Sequence, residues 1–304
     1  MNFRNSKALL EEIDISVPFS LYHDESGRYH CDRWVVTGLL WIPENCEDYI
    51  YKVLQDIREK NGYYSKIHYY NLPSKFEGKH NADARVARDW MNMYIRNIAY
   101  ITYFYAIAVN THSQYYERDR FSKYFHEYNR FTAQAIKSSL IWNMNEYKVI
   151  KLQIFSDNKV NRPGGLLGDG TNYDNFEEYL EYRISLDEAN DSRIPTIIFR
   201  DKPVICVNEE EAKRFPKKYE MLQLCDILVS SISGAILGRS KVETKSWLSS
   251  KIAELMVDIR KNPREQSFKL NRRFSLSYFP NHRGYFYKNG PVSLSCNSKQ
   301  YTLF

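Results

Sequence analysis

The sequence predicts an α/β protein: a mixed five-stranded sheet flanked by helices, with a helical insertion between the second and third strands and a basic C-terminal extension. Three observations carry that prediction. Apolar runs of strand length and longer segments of helical spacing follow one another as strand, strand, helical insertion, strand, helix, strand, helix, strand, helix. The composition, 43% hydrophobic and 26% charged over 304 residues, is that of a globular chain able to bury a sizeable core. No uninterrupted apolar segment approaches the roughly 20 residues of a membrane helix. The N-terminus leads into Glu11, Glu12 and Asp14 rather than a secretory signal, so a cytoplasmic protein with no membrane partner is expected.

The first strand is read at residues 17–22 and ends where His23, Asp24, Glu25, Ser26 and Gly27 turn the chain polar. Residues 34–42 form the second, close enough to make a hairpin with the first. Asn45 reads as a helix N-cap, with Ile50, Val53, Leu54 and Ile57 at helical spacing and Gly62 as the stop. The piece Ile67-His68-Tyr69-Tyr70 fits a strand or a loop. A helix is expected over 83–97 on the stripe Val86, Trp90, Met93, Tyr94, and 100–109, rich in aromatic and β-branched residues, reads as a strand. There follow a long helix over 122–143 and a strand over 148–155 running into Ser156-Asp157-Asn158-Lys159. A glycine-rich loop at 161–171, a helix at 173–186 and a strand at 194–200 come next. Helices at 216–237 and 243–260 close the regular part, and the remainder reads as β-rich or irregular. The expected division is one domain over 1–240, with its helical insertion at about 44–98, and a C-terminal helix with a basic aromatic extension over 241–304.

Asp24 and Asp157 each stand at a strand end. The element order is also that of the ribonuclease H-like fold, in which these two strands are parallel neighbours. Their carboxyl ends would then place both side chains close together, where open α/β sheets bind ligands. Asp-Glu-Ser-Gly is equally ordinary turn material. The third acid, Asp226, has Leu222 and Val229 as helical neighbours and so lies on an apolar side of its helix. Burying an ionised carboxylate alone costs several kcal/mol, so a cation or donor must meet it; a salt-bridged structural Asp is the bland alternative. Ser230, Ser231, Ser233 and Gly234 are small enough to let that helix approach the sheet closely. Three converging carboxylates suit Mg²⁺ or Mn²⁺. Two such ions about 3.5–4 Å apart would activate a water and stabilise the leaving oxygen in phosphodiester cleavage. Glu25 is the expected fourth ligand, and Lys159 would stabilise charge on the phosphate.

Asp-Glu-Ser-Gly at 24–27, Ile-His-Tyr-Tyr-Asn-Leu at 67–72, Phe-Ser-Asp-Asn-Lys at 155–159 and Leu-Gln-Leu-Cys-Asp-Ile-Leu at 222–228 resemble the motifs of the domain-of-unknown-function 3800 family. The resemblance spans about residues 21–237. It implies a ribonuclease H-like fold and a setting near bacterial mobile elements or antiviral systems. It places the family's acids on Asp24, Glu25, Asp157 and Asp226, and a family histidine on His68. Where the family often carries an acid two residues before that histidine, this chain has Lys66. The family's usual Leu-Gln-Leu-Ala-Asp reads Leu-Gln-Leu-Cys-Asp here.

The formal charge of +6 resolves into +8 from Arg260 onward and −2 before it. The basic segment includes Arg264, Lys269, Arg272, Arg273 and Arg283, interleaved with Phe268, Phe274, Tyr278, Phe279, Tyr285, Phe286 and Tyr287. That pattern suits a nucleic-acid backbone with stacked bases, or equally a strand region with a solvated face. The five scattered cysteines offer neither zinc spacing nor a disulfide framework. Gly164-Gly165-Leu166-Leu167-Gly168-Asp169-Gly170-Thr171 lacks the Gly-Lys-Ser/Thr ending of a phosphate loop, and no Gly-x-Ser-x-Gly elbow is present. His23, His30 and Cys31 match no zinc pattern. The expected function is a Mg²⁺- or Mn²⁺-dependent nuclease acting on RNA or DNA. The alternative is a catalytically inactive scaffold that binds nucleic acid or a partner protein in a defence assembly. The many aromatics are compatible with a homodimer.

Overall fold

The computed structural model describes residues 16–29, 31–121, 124–157, 175–238, 240–261 and 273–280. Six strands form a mixed sheet: β1 (Val17–Ser26), β2 (Trp34–Pro43), β3 (Tyr103–Asn110), β4 (Val149–Asp157), β5 (Thr196–Val207) and β6 (Phe274–Phe279). Their order across the sheet is β5-β4-β1-β2-β3-β6. β2 runs antiparallel to both β1 and β3, whereas the β1–β4, β4–β5 and β3–β6 pairs are parallel. The expected count of five strands is therefore corrected to six. The added strand comes from Phe-Ser-Leu-Ser-Tyr-Phe at 274–279, whose alternation pairs it with β3 at the edge.

Seven helices are described: α1 (Glu44–Asn61), α2 (Ala82–Arg96), α3 (Tyr124–Trp142), α4 (Phe176–Asn190), α5 (Glu209–Arg214), α6 (Pro216–Leu237) and α7 (Glu243–Lys261). α1 begins directly after Pro43, and its first turn has no side-chain cap, so Asn45 lies inside the helix. Gly62 ends it in the left-handed conformation, as its sequence position predicts. α5 escaped the periodicity reading because it is one short turn, held by the Asn208 side chain accepting from the Glu210 and Glu211 amides. The 67–70 piece resolves into extended backbone followed by a 3₁₀ turn over Tyr69–Asn71.

The central strands are apolar on both sides, and each side carries its own core. Tyr22, Leu40, Phe104, Ala106 and Phe155 pack beneath α1, α2, α6 and α7. Phe19, Leu21, Leu39, Trp41, Tyr105 and Ile154 pack beneath α3 and α4. α6 is long and apolar enough to cross a membrane by length and composition, yet 83% of that window is buried in the fold. It lies against β1 and β2 with almost no gap. A Cβ on Gly38 would stand 2.2 Å from Val229 Cγ2, so only glycine admits this approach. Gly27 turns the chain out of β1 at φ +97°, where a side chain would also strike the Trp34 carbonyl.

Candidate active site

Strand register decides which side chains can meet. In parallel β1 and β4, Tyr22 stands opposite Phe155 and His23 opposite Ser156. The Tyr22 and Phe155 rings stack at 5.5 Å on the α6 face, and His23 Nδ1 meets Ser156 Oγ at 2.9 Å on the other. One residue further, strand alternation returns Asp24 and Asp157 to the α6 face. Asp24 lies across from Gly38, the residue that lets α6 approach, and Asp226 is on α6 itself. The three acids, separated by more than sixty residues of chain at each step, line one small hollow together with Lys66, His68, Tyr219 and Gln223. They also line a larger cleft of about 500 Å³, with Glu25, Tyr69, Tyr70, Ser230, Ser233, Gly234, Leu237 and Lys245 among its walls. Glu25 projects to the opposite face from Asp24, but from the end of the strand it still reaches the rim.

Asp226 is 9% exposed and well partnered. Its Oδ2 accepts the Tyr69 amide at 2.9 Å and lies 3.2 Å from His68 Nδ1, while Oδ1 accepts the Ser230 hydroxyl at 3.2 Å. Burial pushes this carboxyl up, but His68, the Tyr69 N–H and Ser230 outweigh it and hold it below the ordinary range. His68 is raised by its hydrogen bond to Asp226 against burial, with the charges of Asp226 and Asp24 adding to the effect. His68 Nδ1 also lies 3.3 Å from the Tyr70 amide. One nitrogen cannot donate to a carboxylate and accept an N–H together, and the charge-assisted contact is the stronger. Lys66 is likewise held protonated: burial opposes its charge, while Asp157, Tyr219 and Asp226 favour it. Two basic side chains from one short segment thus stand among the carboxylates.

That segment is fixed from behind by a buried charge. Arg58 is 1% exposed; its Nη1 donates to the Ser65 carbonyl at 2.8 Å and its Nη2 to Gln223 Oε1 at 3.1 Å. Its Nη2 also donates to Glu220 Oε2 at 3.1 Å, and Nε lies 2.7 Å from Glu220 Oε1 without hydrogen-bond alignment. Gln223 Oε1 also accepts the Ile67 amide at 2.7 Å. Glu220, Gln223, Asp226 and Ser230 recur at three- and four-residue steps on α6, a polar stripe on an apolar helix. Of that stripe the sequence singled out Asp226 for its charge and Ser230 only for its small size.

The donor set is all carboxylate oxygen and suits a hard divalent cation. Asp226 spends three of its roughly four lone-pair sites on the donors above, which leaves one for a cation. Among the described residues, no three His, Cys, Asp or Glu side chains stand at metal-holding spacing as they are placed. The acids are gathered without forming a finished coordination shell.

Of the basic residues, Arg273 lies with its guanidinium 4.3 Å over the Tyr103 ring, at the start of β3 and β6. That is the end of the sheet opposite the carboxylates, so Arg273 does not join the cleft. Lys159, Arg264, Lys269, Arg272 and Arg283 lie outside the described residues, as do His30, Cys296 and the glycine-rich loop at 164–171. Searched against models of known protein families and against characterised proteins, the chain matches neither a family nor a relative.

Proposed function

We propose that this protein is a divalent-metal-dependent nuclease of ribonuclease H-like fold, related to the domain-of-unknown-function 3800 family and acting in the cytoplasm. One observation carries the reading: Asp24, Asp157 and Asp226 come from three distant elements and face one cleft at the carboxyl ends of adjacent parallel strands. The run β3-β2-β1-β4-β5 with β2 antiparallel supports the fold, β6 being an addition at its edge. Asp24, Asp157 and Asp226 would hold Mg²⁺ or Mn²⁺, with Glu25 assisting from the rim. The bound ion would supply an activated water and neutralise the leaving oxygen of a phosphodiester. The chain's own part is to aim those carboxylates. The Tyr69 amide, Ser230 and His68 fix Asp226, and Asp24 Oδ1 is set by the Glu25 amide at 2.8 Å. The basic residues after Arg260 would track the nucleic-acid backbone. A bacterial antiviral or mobile-element system, with a protein partner, is the setting that the motif resemblance supports.

The test is cleavage of labelled RNA and DNA in Mg²⁺ or Mn²⁺ by wild type and Asp157→Asn. Loss of cutting by at least a hundredfold in the variant is expected, in keeping with several kcal/mol of transition-state stabilisation. Equal cutting by both proteins would remove the proposal.

A second reading has its own observation. Lys66 stands where a further acid would favour a cation, and its charge faces Asp157. A scaffold whose own lysine and histidine neutralise the acidic centre would bind nucleic acid or a partner protein without cutting.

A further inference from the structure

The cleft is longer than its acidic end requires. From Asp24, Asp157 and Asp226 it extends along Ser230, Ser233 and Gly234 of α6 to Tyr70, Leu237 and Lys245. Its volume of about 500 Å³ is that of a site for a whole small ligand, not for an ion alone.

The far arm is chemically distinct from the acidic end. Tyr70 is 79% exposed, the most exposed large hydrophobic side chain among the described residues, and it stands on the cleft wall. Its backbone is not loose. The 3₁₀ turn over Tyr69–Asn71 holds it, the Tyr69 amide is anchored on Asp226, and the Tyr70 carbonyl accepts Lys245 Nζ at 2.7 Å. The Lys245 ammonium also lies 5.2 Å from the Tyr70 ring centre and 5.6 Å from that of Tyr69. Burial pulls its pKa down from the ordinary lysine value. One N–H is spent on the Tyr70 carbonyl, which leaves two donors. An aromatic ring open to solvent on a held backbone, next to a tethered cation, is the pair of features that binds one unit of a single strand. The ring stacks a base and the ammonium meets a phosphate. Stacking of this kind needs an unpaired base, because a duplex keeps its faces covered.

We infer that the Tyr70–Lys245 arm of the cleft is a subsite for one nucleotide of single-stranded nucleic acid, stacking its base on Tyr70 and setting its backbone toward the three acids. The inference rests on the reading of the cleft as a nucleic-acid site, but not on metal or on cutting.

Binding of a short fluorescein-labelled single strand, as RNA and as DNA, is measured by anisotropy in EDTA, where cleavage is silent. The proteins are wild type, Tyr70→Phe, Tyr70→Ala and Lys245→Ala. Tyr70→Phe keeps the ring and binds within about twofold of wild type, whereas Tyr70→Ala binds about 5- to 100-fold more weakly. Lys245→Ala lowers the slope of log affinity against log salt by about one. A blunt duplex of the same sequence is indifferent to Tyr70→Ala. Because Tyr70 is so exposed, the two Tyr70 variants are expected to melt with wild type, and a melt confirms it. Wild-type affinity in Tyr70→Ala, equal loss in Tyr70→Phe, or no binding of single strands by wild type would each overturn the subsite. Should wild type fail to cut in any metal while the Tyr70 effect persists, the nuclease reading falls and the subsite stands. Should Asp157→Asn abolish cutting while Tyr70→Ala binds normally, the subsite falls alone.

Discussion

Gln223 serves two elements with one amide oxygen. It receives the Ile67 amide and the Arg58 guanidinium together, and so ties the segment carrying Lys66 and His68 to the helix carrying Asp226. Gln223→Ala would leave a buried N–H and part of a buried guanidinium unmet. The expected cost is about 1–3 kcal/mol, read as a lowered denaturation midpoint at unchanged m-value. A midpoint within error of wild type would show that water replaces the amide at no loss. This residue was not legible in the sequence, and neither was Arg58. A glutamine or arginine on a helix ordinarily reads as surface, and nothing local says that residues 63–67 fold over it. Asp226 was legible for the opposite reason, since a carboxylate between Leu222 and Val229 has no cheap explanation.

At the level of elements, the packing of α6 on β2 sets the depth of the site. Gly38 faces Val229, and one helical turn earlier stands Asp226. Gly38→Ala would force its new methyl into a stiff β-branched side chain, with Phe104 Cζ also 3.2 Å away. Overpacking of this kind costs about 1–3 kcal/mol, and the helix would lift Asp226 away from Asp24. On the nuclease reading, cleavage should fall more steeply than stability. Adding Val229→Ala, which clears the colliding methyl, should restore part of both. A double variant no better than the single would locate the damage elsewhere. Helix α6 was legible to its ends because Pro216 opens it and Gly238 closes it. The strands were found but drawn short: β1 and β4 continue through their polar last residues, since hydrogen bonds to neighbours carry a strand past the point where its side chains stop being apolar. β6 carried its alternation openly, but a single-edge strand far along the chain gives no hint of which strand it joins.

For the molecule as a whole, the question is what balances three acids in one hollow. In the structure Lys66 and His68 do so in part, and the nuclease reading adds a divalent ion. An ion that binds the folded state alone stabilises it by about 2.7 kcal/mol at a hundredfold excess over its dissociation constant. For a chain of 304 residues that is about 4 °C in melting temperature. Mg²⁺ or Mn²⁺ should therefore raise the melt of wild type and leave that of Asp226→Asn in place. A wild-type melt unmoved by either ion would favour the self-neutralised scaffold. That the central strands lie between two helical layers was legible, because uninterrupted apolar runs need cover on both faces. The charge segregation was legible too, but not its destination: Arg273 turned out to lie across Tyr103 at the far end of the sheet.

The distance in chain between positions 24 and 226 has a temporal meaning as well as a spatial one. A growing polypeptide presents Asp24 early and Asp226 only after 202 further residues have been made. Until α6 settles onto β2 the three acids share no hollow, so on the nuclease reading an unfinished copy is harmless to the messages and genomes around it. On that reading, completion of the fold would be the event that arms it.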